Sequence, residues 1–136
     1  ENEIDESIYD AMLLSVDVAH ALHPNKKEKM DITNMPVMGK GFCIKQACSQ
    51  SYATDAQAIA ILCQLCDEKG IPYQRFVNRS DSRGGSTLGS IAGTLLPVKT
   101  VDIGIPILAM HSACELMGVR DMKALSDCVT AFFGYH

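Results

Sequence analysis

The sequence predicts an α/β fold, a three-layer α/β/α sandwich built around a mainly parallel central sheet. Three observations carry this expectation. Short apolar runs alternate with segments of helical spacing, in the order strand, loop, strand, helix, strand, helix, strand, helix. Two runs, "AMLLSV" and "TVDIGIPIL", are apolar at consecutive rather than alternate positions, the pattern of strands covered on both faces. The helical segments also carry their own start and stop residues. A chain of 136 residues has room for one core, and two are not expected.

The elements follow in order. "AMLLSV", residues 11–16, is a strand, read as central in the sheet. Residues 23–41 are polar and contain Pro24, Pro36, Gly39 and Gly41, so they form a long loop. A loop of that length inside a compact domain is usually functional or mobile. "GFCIKQACSQSY", residues 41–52, is extended. Thr54 opens a helix through a capping box with Gln57. Ala58, Ile61, Leu62 and Leu65 then recur at helical spacing, and Gly70 with Pro72 ends the helix. "YQRFV" is a strand, and Gly84 and Gly85 precede a short helix over about 86–96. "TVDIGIPIL" is a buried strand. The last helix runs over about 121–133, with Met122, Leu125, Val129, Phe132 and Phe133 on one stripe.

Composition narrows the function classes. Hydrophobic content of 47% and charge of 21% describe a soluble globular chain. The net charge is −4, and the one basic run, "NKKEK", is broken by Glu28 and reads as a solvated loop. Nucleic acid and anionic membranes are therefore not expected partners. No apolar run reaches membrane-spanning length, and the acidic opening "ENEIDESIYD" is unlike a signal peptide, which points to the cytoplasm. The six cysteines are expected as reduced, buried thiols. Cys63 and Cys66 form a C-x-x-C late in their helix, away from the N-terminal dipole that activates redox pairs, so they read as core.

The chemistry concentrates in "SVDVAHALHPN". Open α/β sheets bind ligands beyond the carboxyl ends of their strands. Asp17 and His20 are expected at that end of the first strand, while Asp102 and His111 bracket the last one. Carboxylate and imidazole are donors that suit zinc. Spacing alone leaves another reading open, in which Asp17 caps a turn and His111 is a core histidine. "RGGSTLGS" could offer free N–H groups to an anionic or carbonyl oxygen, or could be a tight turn and helix cap. It lacks the pattern of a nucleotide-binding loop.

Five segments occur in a recognisable order: "SVDVAHALHPN", "IKQACSQSYATD", "RFVNRSDSRGGSTLG", "TVDIGIPILAMHS" and "GVRDMKALSDCVTAFF". Together they resemble the carboxyl-terminal part of the aspartyl aminopeptidases, the aminopeptidase I family of dinuclear zinc exopeptidases. The resemblance implies that residues 1–136 are the C-terminal part of a catalytic domain that a separate β-rich domain interrupts. It implies that Asp17 ligates one of two zinc ions and His111 the other. It implies substrate contacts for His20, Lys45 and Tyr52, with Lys45 suited to the carboxylate of an acidic amino-terminal residue. Lys45 could instead be an edge-strand lysine that blocks aggregation. His23 is expected only to turn the chain, with Pro24 and Asn25.

Two positions depart from the family pattern. Ser51 stands where an arginine usually precedes the tyrosine, and Cys114 where an arginine usually precedes Glu115. The family's first zinc-binding histidine, bridging aspartate and glutamate pair, one of whose members is the general base, lie upstream. No Glu-Glu pair occurs in this chain. The expected parent is thus a zinc aminopeptidase of acidic residues, acting on peptides as a large homo-oligomer. The chain would be a fragment or one piece of its subunit, inactive alone. The alternatives are a dinuclear zinc aminopeptidase of neutral residues and a non-catalytic assembly or cargo-binding piece.

Overall fold

The computed structural model describes residues 2–53, 55–82 and 84–134. The chain forms α1 (Asn2–Asp10), β1 (Met12–His20), β2 (Phe42–Gln46), α2 (Ala56–Lys69), β3 (Tyr73–Val77), α3 (Leu88–Leu95), β4 (Lys99–Leu108), β5 (Leu116–Met117) and α4 (Val119–Phe133). The four strands read from the sequence are all present, in an α/β arrangement. The acidic segment before β1 is a helix, and β5 is a short addition.

The sheet runs β1-β4-β2-β3, with β5 on β4. Its two longest ladders are parallel: β1 on β4, from Met12 opposite Lys99 to His20 opposite Ile107, and β2 on β3. β4 meets β2 and β5 in antiparallel fashion, so the sheet is mixed. The expectation of a central first strand is corrected: among the described residues β1 pairs only with β4, and Val16 is 49% exposed. β4 is the central strand, buried from Thr100 to Ile107. Its run of consecutive apolar residues has the cause anticipated, cover on both faces.

Alternation along β4 separates the two faces. Val101, Ile103, Ile105 and Ile107 join Phe42, Ile44, Leu62, Leu65, Leu125 and Cys128 in the main core beneath α2 and α4. The opposite face carries α3 and the loops, over a smaller cluster that includes Cys43, Tyr52 and Phe76.

The helices show why their sequences start and stop where they do. Thr54 lies outside the described residues, and the cap of α2 is Asp55, whose carboxylate accepts from the Ala58 N–H at 2.8 Å. Gly70 ends α2 with φ 65°, a left-handed conformation that suits glycine. The stripe expected on α4 holds at Leu125, which is buried, and Phe132, which packs against the core, and is corrected at Met122 and Phe133, which are exposed; Asp121, Ala124 and Cys128 complete the buried face. Asp121 turns inward because it accepts from two backbone N–H groups, Gly39 at 2.6 Å and Gly41 at 2.8 Å. It thereby ties the end of the 21–41 loop to α4.

Cys43, Cys66 and Cys128 are buried free thiols, as expected, but Cys48 and Cys114 are exposed because they lie in surface turns. Cys66 and Cys128 touch across α2 and α4, sulfur to sulfur at 3.8 Å.

Gly89 explains part of the glycine-rich segment before β4. A Cβ there would stand 2.7 Å from Ser15 Cβ and 2.8 Å from Asp102 Oδ1, so glycine lets α3 seat directly on β1 and β4. Gly89→Ala is expected to destabilise the protein by ~1–3 kcal/mol through overpacking. A lowered urea midpoint at unchanged slope would show it; an unchanged midpoint would mean that α3 can lift without cost.

Candidate active site

The site grows from the face of the sheet that lies opposite α2 and α4. Register places Lys45 of β2 opposite Asp102 of β4, and Asp102 opposite Ser15 of β1. Asp17 lies two residues further along β1, on the same face as Ser15. Three neighbouring strands therefore present a carboxylate, an ammonium and a second carboxylate side by side.

Lys45 is the centre of this group. It is 2% exposed, and β2 is an interior strand, which removes the edge-lysine reading. Its Nζ donates to the Val18 carbonyl at 3.0 Å, lies 3.6 Å from Asp17 Oδ2, and sits 4.5 Å above the centre of the Tyr52 ring. Burial pushes the Lys45 ammonium below its ordinary range, against the pull of Asp17 and Asp102. The Tyr52 ring is held in turn by Phe76, at 6.2 Å between centroids. Cation–π contact and a carboxylate together keep a desolvated ammonium in place.

Asp102 is fully buried inside β4; it does not bracket the strand, as the sequence reading had it. Its Oδ2 accepts from the Ala53 N–H at 2.5 Å and the Thr87 hydroxyl at 2.7 Å. Among the described residues its Oδ1 has no donor. Thr87, the residue before α3, spends its hydroxyl on Asp102 and not on the helix end. The sequence reading names Asp102 only as a strand-end acid and does not name Thr87. The signal was an acid placed inside an otherwise apolar strand.

Asp17 lies within β1, three residues before its end, with a side chain 53% exposed. It opens onto a groove of about 520 Å³ between β1 and α3. His20 is the last residue of β1, with its ring 6.4 Å from that of Phe76. Burial lowers the His20 pKa, and the nearby charges of His111 and Lys45 lower it further. His111 follows β4 in an exposed turn with φ 68°, a left-handed conformation that is uncommon outside glycine. Its backbone N–H donates to Glu115 Oε1 at 2.6 Å, and the Ser112 N–H donates to the Ala109 carbonyl at 3.0 Å. His23 acts in its turn, where Nδ1 accepts from the Asn25 N–H at 3.1 Å.

Asp17 and His111 are zinc-type donors, and both are exposed. Among the described residues no three His, Cys, Asp or Glu side chains converge, so these residues offer at most part of a donor set.

The family model for the aminopeptidase I zinc metalloproteases (M18) matches residues 1–133. The chain belongs to the M18 aminopeptidase family. It is 53% identical over 111 residues to a probable M18 family aminopeptidase 2 of Clostridium novyi (strain NT), a match covering 82% of this chain and 26% of that protein. Among solved structures it is similar to the Ape4 chain in a complex of Ape4 and Nbr1, with a TM-score of 0.92 and 35% identity, over 95% of this chain and 25% of that one. It is also similar to the yeast mApe1 dodecamer, with a TM-score of 0.86 and 25% identity, over 97% of this chain and 28% of that one. The M18 chain described here thus spans between a quarter and a third of the length of these relatives.

Proposed function

We propose that this M18 chain is the C-terminal part of the catalytic domain of a zinc aminopeptidase that removes acidic amino-terminal residues from peptides. The observation that carries the reading is Lys45, a buried ammonium beside Asp17 and Tyr52 on one face of the sheet. A buried cation beside Asp17, whose side chain opens onto the groove, suits a substrate carboxylate. Membership of a zinc metalloprotease family supports the choice of metal.

Asp17 and His111 would each hold one of two zinc ions, with the remaining ligands and the general-base glutamate supplied by upstream sequence. When bound, zinc polarises the scissile carbonyl and lowers the pKa of the attacking water. His20 donates to the oxyanion of the tetrahedral intermediate. Lys45 pairs with the side-chain carboxylate of the first residue, and Tyr52 orients both. The free edge of β1 and the exposed side chains of Leu88, Ile91 and Leu95 on α3 suit cover by the rest of the catalytic domain. Similarity to a dodecameric relative supports a homo-oligomer. Among the described residues no helix is long and apolar enough to cross a membrane, which is compatible with a cytoplasmic enzyme.

The test uses the intact protein that contains this sequence. It should release aspartate from Asp-initiated peptides, lose activity to a chelator and regain it with zinc. Equal or better cleavage of neutral residues would favour the neutral-specific alternative. No zinc-dependent hydrolysis, with an upstream sequence lacking histidine, aspartate and a glutamate pair, would favour the assembly or cargo role.

A further inference from the structure

A second cavity, of about 250 Å³, opens between the end of β1, the loop that follows it and the exit of β3. His20 lines it, so it adjoins the candidate site; Asp17, Lys45, Tyr52 and His111 do not. Its floor is apolar, made by the buried residues Ala21, Met30 and Phe76. Its rim holds three cations, Lys26, Lys29 and Arg79. Among the described residues no aspartate or glutamate lines it, although the chain carries a net charge of −4.

Two of the three rim cations already face an acid. Asp81 accepts from Arg79 Nε at 2.6 Å, and Glu28 faces Lys26 at 3.8 Å. Arg79 also donates to the Glu28 carbonyl, which fastens the turn at Lys27–Lys29 against the exit of β3. Arg79 therefore positions the wall, and the charge comes from Lys29, with Lys26 held only by a long, exposed pair with Glu28 at 3.8 Å. An apolar floor under a cationic rim suits a carboxylate on a short carbon stem.

We propose that this cavity is a subsite for the part of the peptide beyond the scissile bond, and that it selects a carboxylate there. The inference rests on the aminopeptidase reading. Lys45 bonds the Val18 carbonyl, two residues before His20 on β1, and His20 lines the cavity. A scissile bond held at His20 directs its first side chain toward Lys45 and its continuing chain toward Lys26 and Lys29. The carboxylate can come from a downstream Asp or Glu side chain, or from the free end of a short peptide.

The experiment compares substrates on the intact protein and on its Lys26→Gln/Lys29→Gln variant. Aspartyl p-nitroanilide, which carries no peptide beyond the bond, reads basal activity. Asp-Ala-Asp-Ala-amide against Asp-Ala-Asn-Ala-amide reads a side-chain carboxylate. Asp-Ala-Ala as free acid against its amide reads a chain end. The wild type should favour the acidic member of at least one pair by about fivefold in kcat/KM, through KM, as expected for exposed ion pairs. The preference should fade with added salt. The double variant should lose the preference and keep its anilide rate. The side-chain pair or the chain-end pair identifies the source of the carboxylate. No preference in the wild type, or one that survives in the variant, overturns the subsite with the anilide still cleaved. No turnover of any substrate overturns the aminopeptidase reading itself.

Discussion

Purified residues 1–136, titrated with zinc, are expected to bind no metal at micromolar affinity and to release nothing from an Asp-initiated peptide. A catalytic zinc takes three protein ligands. Among the described residues no three donor side chains converge, and the proposed roles give Asp17 to one metal and His111 to the other. A single carboxylate or imidazole is too weak a site to hold a metal against water. Calorimetry follows the titration, circular dichroism checks that the chain is folded, and an amino-acid release assay follows turnover. Tight binding with turnover would show that the other ligands come from within this sequence, and His20, His23 and the cysteines would become candidates.

Replacing Lys45 by methionine in the intact protein should cost most on acidic substrates. Loss of one partner of a desolvated charge pair costs ~2–5 kcal/mol, which is about thirtyfold to several-thousandfold in kcat/KM for Asp- and Glu-initiated peptides. Neutral-initiated peptides should lose far less. The structure supplies the competing outcome, because Lys45 also bonds the Val18 carbonyl and stands beside Asp17 and the buried Asp102. If its work is to hold these groups together, both substrate classes fall equally and the melting temperature drops. The ratio between substrate classes, measured beside the melting temperature, separates the two.

The fold was largely readable because its strongest signals are periodic. The consecutive apolar residues of β4 and the spacing of Leu62 and Leu65 on α2 reflect what each face touches. The misreadings share one cause, the long-range placement of polar groups. Asp121 is buried because it caps backbone N–H groups eighty residues away in sequence, at Gly41, and no local pattern shows that. Asp102 has the same character, with Ala53 and Thr87 as its partners. The position of β1 at the edge also escaped a local reading, since a run such as "AMLLSV" says how apolar a strand is and not how many neighbours it has. For the site, Lys45 and Tyr52 are legible only through the resemblance, Asp17 and His20 also through their place near a strand's end, and Lys45 reaches across β4 to 3.6 Å from Asp17 Oδ2. The run "NKKEK" reads locally as a solvated loop, because its tie to Arg79 and its place above Met30 and Phe76 are long-range.

The central place of β4 also governs the order in which the sheet can assemble. β1 and β2 both pair with β4, and Met12 finds its partner only at Lys99. On a ribosome, β2, α2 and β3 can meet as a local unit, since they are contiguous in sequence. Among the described residues the partner of β1 is β4, which emerges last of the four long strands. Closing so long a loop costs entropy before the ladder repays it, which slows folding in the manner of high-contact-order proteins. The β1–β4 ladder, one strand of which carries Asp17 and His20, thus forms only after β2, α2, β3 and α3 have been made.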